Sequence, residues 1–193
     1  MISIKNYENL PVDTKEILRY MGCPTANPQA EGLINGCLSD CFGILKYKVC
    51  FDRFPISVSE NSVKFPFAET DSASLAKHLC GFSEAVVFAA TVGIELDRLI
   101  MKASRLSPSR AVCFQAIGAE RIEALCDAFC DELKSDFSVT SSRFSPGYGD
   151  FPLRFQTEIF KALDCPRKIG LSLNSALLMS PSKSVTAIVG IKQ

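Results

Sequence analysis

The chain has 193 residues, 47% of them apolar and 22% charged, which excludes general disorder and suffices for a self-supporting core. Its 21 basic and 21 acidic side chains cancel, so it lacks the broad positive field that draws nucleic acid. No window approaches the ~18 apolar residues of a membrane helix. The N-terminus has no basic region followed by an apolar run, so a cytoplasmic protein is expected.

In chain order, Asp13-Thr14-Lys15-Glu16 reads as a capped helix start, with Ile17, Leu18 and Met21 on one face. Residues 23–28 form a breaker. Ala30, Leu33, Ile34, Cys37, Leu38, Cys41, Phe42 and Leu45 then follow the spacing of an amphipathic helix. Tyr47, Val49 and Phe51 alternate as a strand, and a second strand over 62–67 follows a turn at Glu60-Asn61. The pair predicts an antiparallel hairpin. Asp71 is placed to cap a short helix carrying Leu75, Ala76 and Leu79, which Gly81 ends.

The run Ala85–Ala90 is apolar on both faces, as in a central strand. A helix from about Ile94 to Ser104 follows. Ser107-Pro108 then opens the longest helix, to about Asp136, with Ile122, Leu125, Cys126, Phe129 and Leu133 on its core stripe. Residues 137–150 are a Ser/Gly/Pro loop. Asp150 and Pro152 are read as starting another helix through Leu163. Ile169, Leu171 and Leu173 alternate as a strand, and so do Val185, Ala187, Val189 and Ile191. The expected fold class is α+β, a mainly antiparallel sheet packed with several helices in one domain over 1–193.

The nine cysteines include two pairs, Cys37/Cys41 and Cys126/Cys130, each four apart on a helical core stripe. No CxxC occurs and His78 is the only histidine, so structural thiols are expected rather than a metal site. No nucleophile elbow or glycine-rich phosphate loop is found.

Chemistry concentrates in the 137–150 loop. Pro146 and Gly147 fit the central positions of a type II turn, leaving backbone groups free to face a ligand. Arg143 offers a planar fork for a carboxylate or phosphate, and Tyr148 offers a ring face and a hydroxyl. Glu123 lies at the border of the long helix's core stripe, whereas Glu120 and Asp127 are expected to point further out. A solvated turn and a solvated flank residue are the plainer readings of these features.

The segment Arg143-x-Ser-Pro-Gly-Tyr-Gly-Asp-Phe-Pro-Leu153 resembles the R-x-x-P-G-Y loop of the activation domain of cobalamin-dependent methionine synthase. Ala89–Gly93, the helix stretch Ala116-x-Gly118-x-x-x-x-Glu123-Ala124, Ile169-Gly170 and Leu178–Val185 also resemble that family. The likeness covers residues 75–190 in order; the first 70 residues match weakly. The short SPGYGDFPL variant is similar to stand-alone members of the family. The D-W-x-P-F-F segment of the fused domains is absent, and so is any tryptophan.

The resemblance implies a subunit that binds S-adenosylmethionine and supports reductive remethylation of the cobalamin of a separate methionine synthase or other corrinoid protein. It implies an electron donor such as flavodoxin or ferredoxin. It places Arg143, Tyr148 and Glu123 at the S-adenosylmethionine site. By their chemistry Arg143 suits the ligand carboxylate and Glu123 its ammonium, backbone groups around Ser145 and Gly147 suit other polar atoms, and Tyr148 is expected near the reactive methyl. No D-x-H-x-x-G cobalt-ligand motif occurs, so cobalamin would be carried by the partner. The alternative is a non-catalytic module that docks on a corrinoid protein or binds a related metabolite.

Overall fold

A computed structural model describes every residue except Pro24 and Ala26. It opens on a strand that the sequence pattern did not predict, β1 (Ser3–Tyr7). This strand lies at the edge of the main sheet and pairs only with the second strand, so it needs no clean alternation. Helix α1 (Thr14–Tyr20) is capped as expected: the Asp13 carboxylate accepts from the Lys15 and Glu16 amides. The expected breaker includes Pro24 and Ala26, which lie outside the described residues. Beyond it the Asn27 side chain accepts from the Ala30 amide and starts α2 (Pro28–Cys41).

Strand β2 (Tyr47–Pro55) does not form the expected hairpin with residues 62–67. It pairs with β1 and with a strand further along the chain. The turn at Glu60-Asn61 instead joins two short strands, β3 (Ser57–Val58) and β4 (Ser62–Lys64). With β5 (Glu69–Asp71) they make a separate small sheet. Helix α3 (Ala73–His78) is capped by Ser72, whose hydroxyl accepts from the Leu75 amide. Asp71 is the last residue of β5 and not the cap.

Strand β6 (Glu84–Thr91) is the centre of the five-stranded sheet, as its two-sided apolarity requires. Helices α4 (Glu95–Leu106) and α5 (Pro108–Asp136) follow, the second with the predicted ends. The 137–150 region contributes a two-residue edge strand, β7 (Val139–Thr140). A turn of 3-10 helix at Leu153–Phe155 leads into α6 (Gln156–Leu163).

Residues expected as a strand from Ile169 begin inside a helix, α7 (Cys165–Ile169). Pro166 in its first turn and Gly170 at φ 71° in its C-cap override the apparent alternation. Two short strands, β8 (Ser172–Leu173) and β9 (Met179–Ser180), pair with each other before the last long strand, β10 (Ser184–Lys192).

The main sheet runs β1-β2-β6-β10-β7, and every neighbouring pair is antiparallel. Alternation along β6 divides the interior in two. Val86, Phe88 and Ala90 face α1, α2, α4 and α5. Ala85, Val87 and Ala89 face α3, α6, α7 and the small sheet. On the first face Phe129 of α5 packs against Phe51 and Phe88, each at 4.9 Å between ring centroids. Cys37, Cys41 and Cys126 are buried in this same layer, as their helical spacing predicted, with Cys130 half-buried beside them.

Alpha5 comes close to the start of β10 because residue 118 has no side chain. A β-carbon there would meet Leu96 at 2.6 Å and the Lys183 stem at 2.8 Å. No helix among the described residues is long and apolar enough to cross a membrane.

Candidate functional site

The chain leaves α5 and returns along β10 as an incomplete edge strand. Ser141 donates its amide to the Gly190 carbonyl at 2.9 Å. Phe144 exchanges both backbone hydrogen bonds with Ile188, also at 2.9 Å. Extended backbone sends successive side chains to opposite faces. Phe144 therefore points to the α3 side, where its ring lies 4.8 Å from that of His78. Arg143 points to the α5 side. The ring nitrogen Nε2 of His78 is hydrogen-bonded to the Ser142 carbonyl at 2.7 Å, so the lone histidine braces the loop.

On the α5 side the Arg143 guanidinium meets two carboxylates one helical turn apart. Its Nη2 donates to Glu123, and its Nη1 donates to Asp127 at 2.6 Å. Burial works against this cation, but Cys126, Glu123 and Asp127 outweigh it and raise its pKa above the ordinary arginine value. It is a fixed positive charge. Burial also pushes the adjacent Cys126 and Cys130 thiols up, with Arg143 pulling Cys130 back in part.

Beyond Arg143 the chain makes the expected type II turn. The Tyr148 amide donates to the Ser145 carbonyl at 3.1 Å across Pro146-Gly147, and Gly147 has φ 97°. Only glycine takes that value without strain. The turn is less open than predicted. The Gly147 amide donates to the Phe151 carbonyl at 2.8 Å, so two of the amides expected to face a ligand are used inside the turn. Pro146 is buried. Ser145 is half-buried, Gly147 is exposed, and Tyr148 stands out in solvent at 60% exposure.

Asp150 does not start a helix of its own. Its carboxylate accepts from the Ser72 hydroxyl at 2.5 Å and from the Ala73 and Ser74 amides at 2.9 and 3.1 Å. These bonds, the Ser72 hydroxyl foremost, hold its carboxyl down to about 2. The far end of the loop is thus tied to the start of α3, and the near end to β10.

The structure therefore brings Arg143 and Glu123 into direct contact, although they are 20 positions apart. Ser145, Gly147 and Tyr148 follow Arg143 in one turn. Asp127 points further out than Glu123, as expected, and Glu120 does not. Asp127 is a partner of Arg143, and its i+4 spacing from Glu123 was the available signal. Glu120 is not exposed but buried. It receives the Nε of Arg121 at 2.5 Å and the Asp13 amide at 3.0 Å. Arg121 also donates to the Leu10 carbonyl at 2.8 Å and to that of Pro11.

The donor set around Arg143 fits a zwitterionic amino-acid group: a guanidinium for a carboxylate, and carboxylates for an ammonium. No group of three or more His, Cys, Asp or Glu side chains placed to hold a metal occurs among the described residues.

No protein-family model matches the chain, and no curated protein matches it. Among solved structures it is similar to the MetH reactivation domain bound to AdoHcy. The TM-score is 0.76 at 13% identity, over 99% of this chain and 78% of that one. The likeness establishes the fold: helices packed on an antiparallel sheet in the arrangement of that reactivation domain.

Proposed function

We propose that this chain is a cytoplasmic reactivation subunit. It binds S-adenosylmethionine at Glu123, Arg143 and the Ser145–Tyr148 turn. It thereby supports reductive remethylation of the cobalamin of a separate methionine synthase, with flavodoxin or ferredoxin as a suitable electron donor. The observation that carries the reading is the likeness of fold, over nearly the whole chain, to a domain solved with AdoHcy. Two further features support it. The loop that resembles the family's R-x-x-P-G-Y segment lies against Glu123, and the charges gathered there suit an α-amino acid.

In this reading Arg143 donates two parallel hydrogen bonds to the ligand carboxylate. Glu123 accepts from the α-ammonium. The Pro146 and Gly147 carbonyls, which accept no backbone hydrogen bond within the turn, and the Ser145 hydroxyl are available to the remaining polar atoms. Tyr148, with its ring in solvent, is free to lie against whatever a partner presents. Bound S-adenosylmethionine supplies an electrophilic methyl group on its sulfonium. The chain's own part is to fix the amino-acid end of the ligand and to leave the methyl end at the protein surface.

A second reading has its own support. Arg143 is already paired with two carboxylates, and the turn amides are used internally. That arrangement also suits a rigid surface that docks on a corrinoid protein without holding a ligand.

Calorimetric titration with S-adenosylmethionine, with and without a corrinoid protein, separates the two. The ligand reading expects saturable binding that Arg143→Lys weakens by about 1–3 kcal/mol, since an ammonium cannot reproduce a paired fork. Binding of the corrinoid protein with no heat from S-adenosylmethionine in either arm would overturn it in favour of docking.

A further inference from the structure

Arg143 carries one positive charge and is met by two carboxylates, so the cluster has a net charge of −1. The two acids are not equivalent. Glu123 is 43% exposed and sits at the core border, whereas Asp127 is 67% exposed. An ion pair so open to water is held by about 1 kcal/mol or less. The Arg143 side chain is only 24% exposed and is kept in place by the backbone pairing of Phe144 with Ile188. If one of the two contacts yields, it is the bond from Nη1 to Asp127, and Arg143 need not move when it does.

An anion with oxygens spaced for a guanidinium is suited to take that nitrogen, and the carboxylate of the ligand proposed above is one. We propose that Asp127 is an exchangeable counter-ion. It holds Arg143 while the site is free and gives way to the α-carboxylate of the incoming ligand. Once released, Asp127 is left to solvent, and Glu123 remains to face the ligand's ammonium. This inference rests on the ligand-binding reading above and adds to it a residue that gates the guanidinium.

The exchange has opposite consequences for ligands with and without a carboxylate. S-adenosylhomocysteine has a carboxylate and an ammonium and no net charge. It must displace Asp127, so removing Asp127 removes a competitor. Decarboxylated S-adenosylmethionine has two positive charges and no carboxylate. It displaces nothing, and loses the attraction of a nearby negative charge when Asp127 is neutralised.

The test is competitive titration of both compounds against the parent chain and Asp127→Asn, after both proteins are shown to melt alike. Asp127→Asn should bind S-adenosylhomocysteine about 2- to 5-fold more tightly, the fold-change of a lost exposed pair. It should bind the decarboxylated compound no better than the parent does. Asp127→Ser, which removes the carboxylate with a smaller side chain, should give the same pattern. If the parent binds S-adenosylhomocysteine and the variants bind it equally or more weakly, the exchange is overturned and the proposed function stands. Tightening of both compounds alike would also overturn it, because the effect would then owe nothing to the carboxylate. If the parent binds neither compound, the exchange falls together with the ligand reading.

Discussion

Helix α5 carries two arginine–carboxylate clusters three residues apart, and they differ in almost every physical respect. Glu120 and Arg121 are 5% and 2% exposed. They are bonded to each other, to the Asp13 amide and to the Leu10 and Pro11 carbonyls. Every oxygen and nitrogen there has a fixed partner in the backbone or the opposite charge, so the pair clamps the segment before α1 onto the helix. Glu123 and Asp127 meet an arginine from a distant loop at the surface, with one acid more than charge balance needs. The first cluster is satisfied and has nothing to exchange. The second holds the surplus charge and open edges that a ligand can use. Burial of a charged pair thus marks structure here, and incomplete burial marks the candidate site.

The most forceful way to break this contrast is to remove one acid from each cluster. Glu120→Ala leaves a buried guanidinium without its counter-charge and should cost about 3–5 kcal/mol of stability. Glu123→Ala removes a 43%-exposed acid and leaves Arg143 still paired with Asp127, so it should cost about 1 kcal/mol or less. Denaturant unfolding of the two variants reads the difference directly. Equal losses would mean that the two clusters are energetically alike, and the distinction drawn here would fail.

A change of pH probes the loop's other anchor. The Asp150 carboxyl is held down to about 2 in the folded chain, below its ordinary value. A depressed carboxyl contributes fully above its unfolded pKa, and the contribution is lost as pH falls through the folded one. The tie between the loop and α3 should therefore be intact above about pH 4 and loosen progressively toward pH 2. Protection of the Ala73 and Ser74 amides, measured relative to their intrinsic exchange rate at each pH, should fall over that range, and Asp150→Asn should show the lowered protection at neutral pH. Exchange that stays slow in the variant would show that the carboxylate does not hold these amides.

The smallest effect is expected at the most exposed aromatic of the turn. Tyr148→Phe keeps the ring and removes one hydroxyl from a residue that is 60% exposed, so stability should change by less than about 0.5 kcal/mol. Affinity for S-adenosylmethionine should change less than the recovery of methylcobalamin on a partner synthase. Loss of affinity with unchanged recovery would place the hydroxyl in ligand binding and not near the methyl group.

Periodic patterns with deep burial were legible in the sequence. The core stripe of α5 and the cysteine pairs were legible from a helical period, the start of α5 from Ser107-Pro108, and β6 from an unbroken apolar run. So was the type II turn, because Pro146-Gly147 satisfies its dihedral angles locally. What escaped were features decided by distant partners. Beta1 has no apolar period because none of its residues is buried on either face.

Asp150 looked like a local helix start because nothing in the sequence reveals Ser72 across the fold. Glu120 was read as solvated because a helical wheel assigns charge to the outside. It is buried because Arg121 and the Asp13 amide supply what water would. The approach of Arg143 to Glu123 was legible only through the family resemblance. The edge pairing of Phe144 that directs it depends on β10, over 40 residues later.

The position of β10 between β6 and β7 also bears on how the chain reaches this state. Ile188 lies opposite Val87, about a hundred residues earlier in the sequence. The middle of the sheet closes only after α4 and α5 have been accommodated, and bringing together strands so far apart is slow. Until then one edge of β6 is unpaired, and that edge belongs to the run Ala85–Ala90, which contains no charge and no proline. Such a segment is the type that pairs with another chain when left open. The apolarity that makes β6 the spine of the folded molecule is therefore also its main hazard during folding, and the last strand is the cover that removes it.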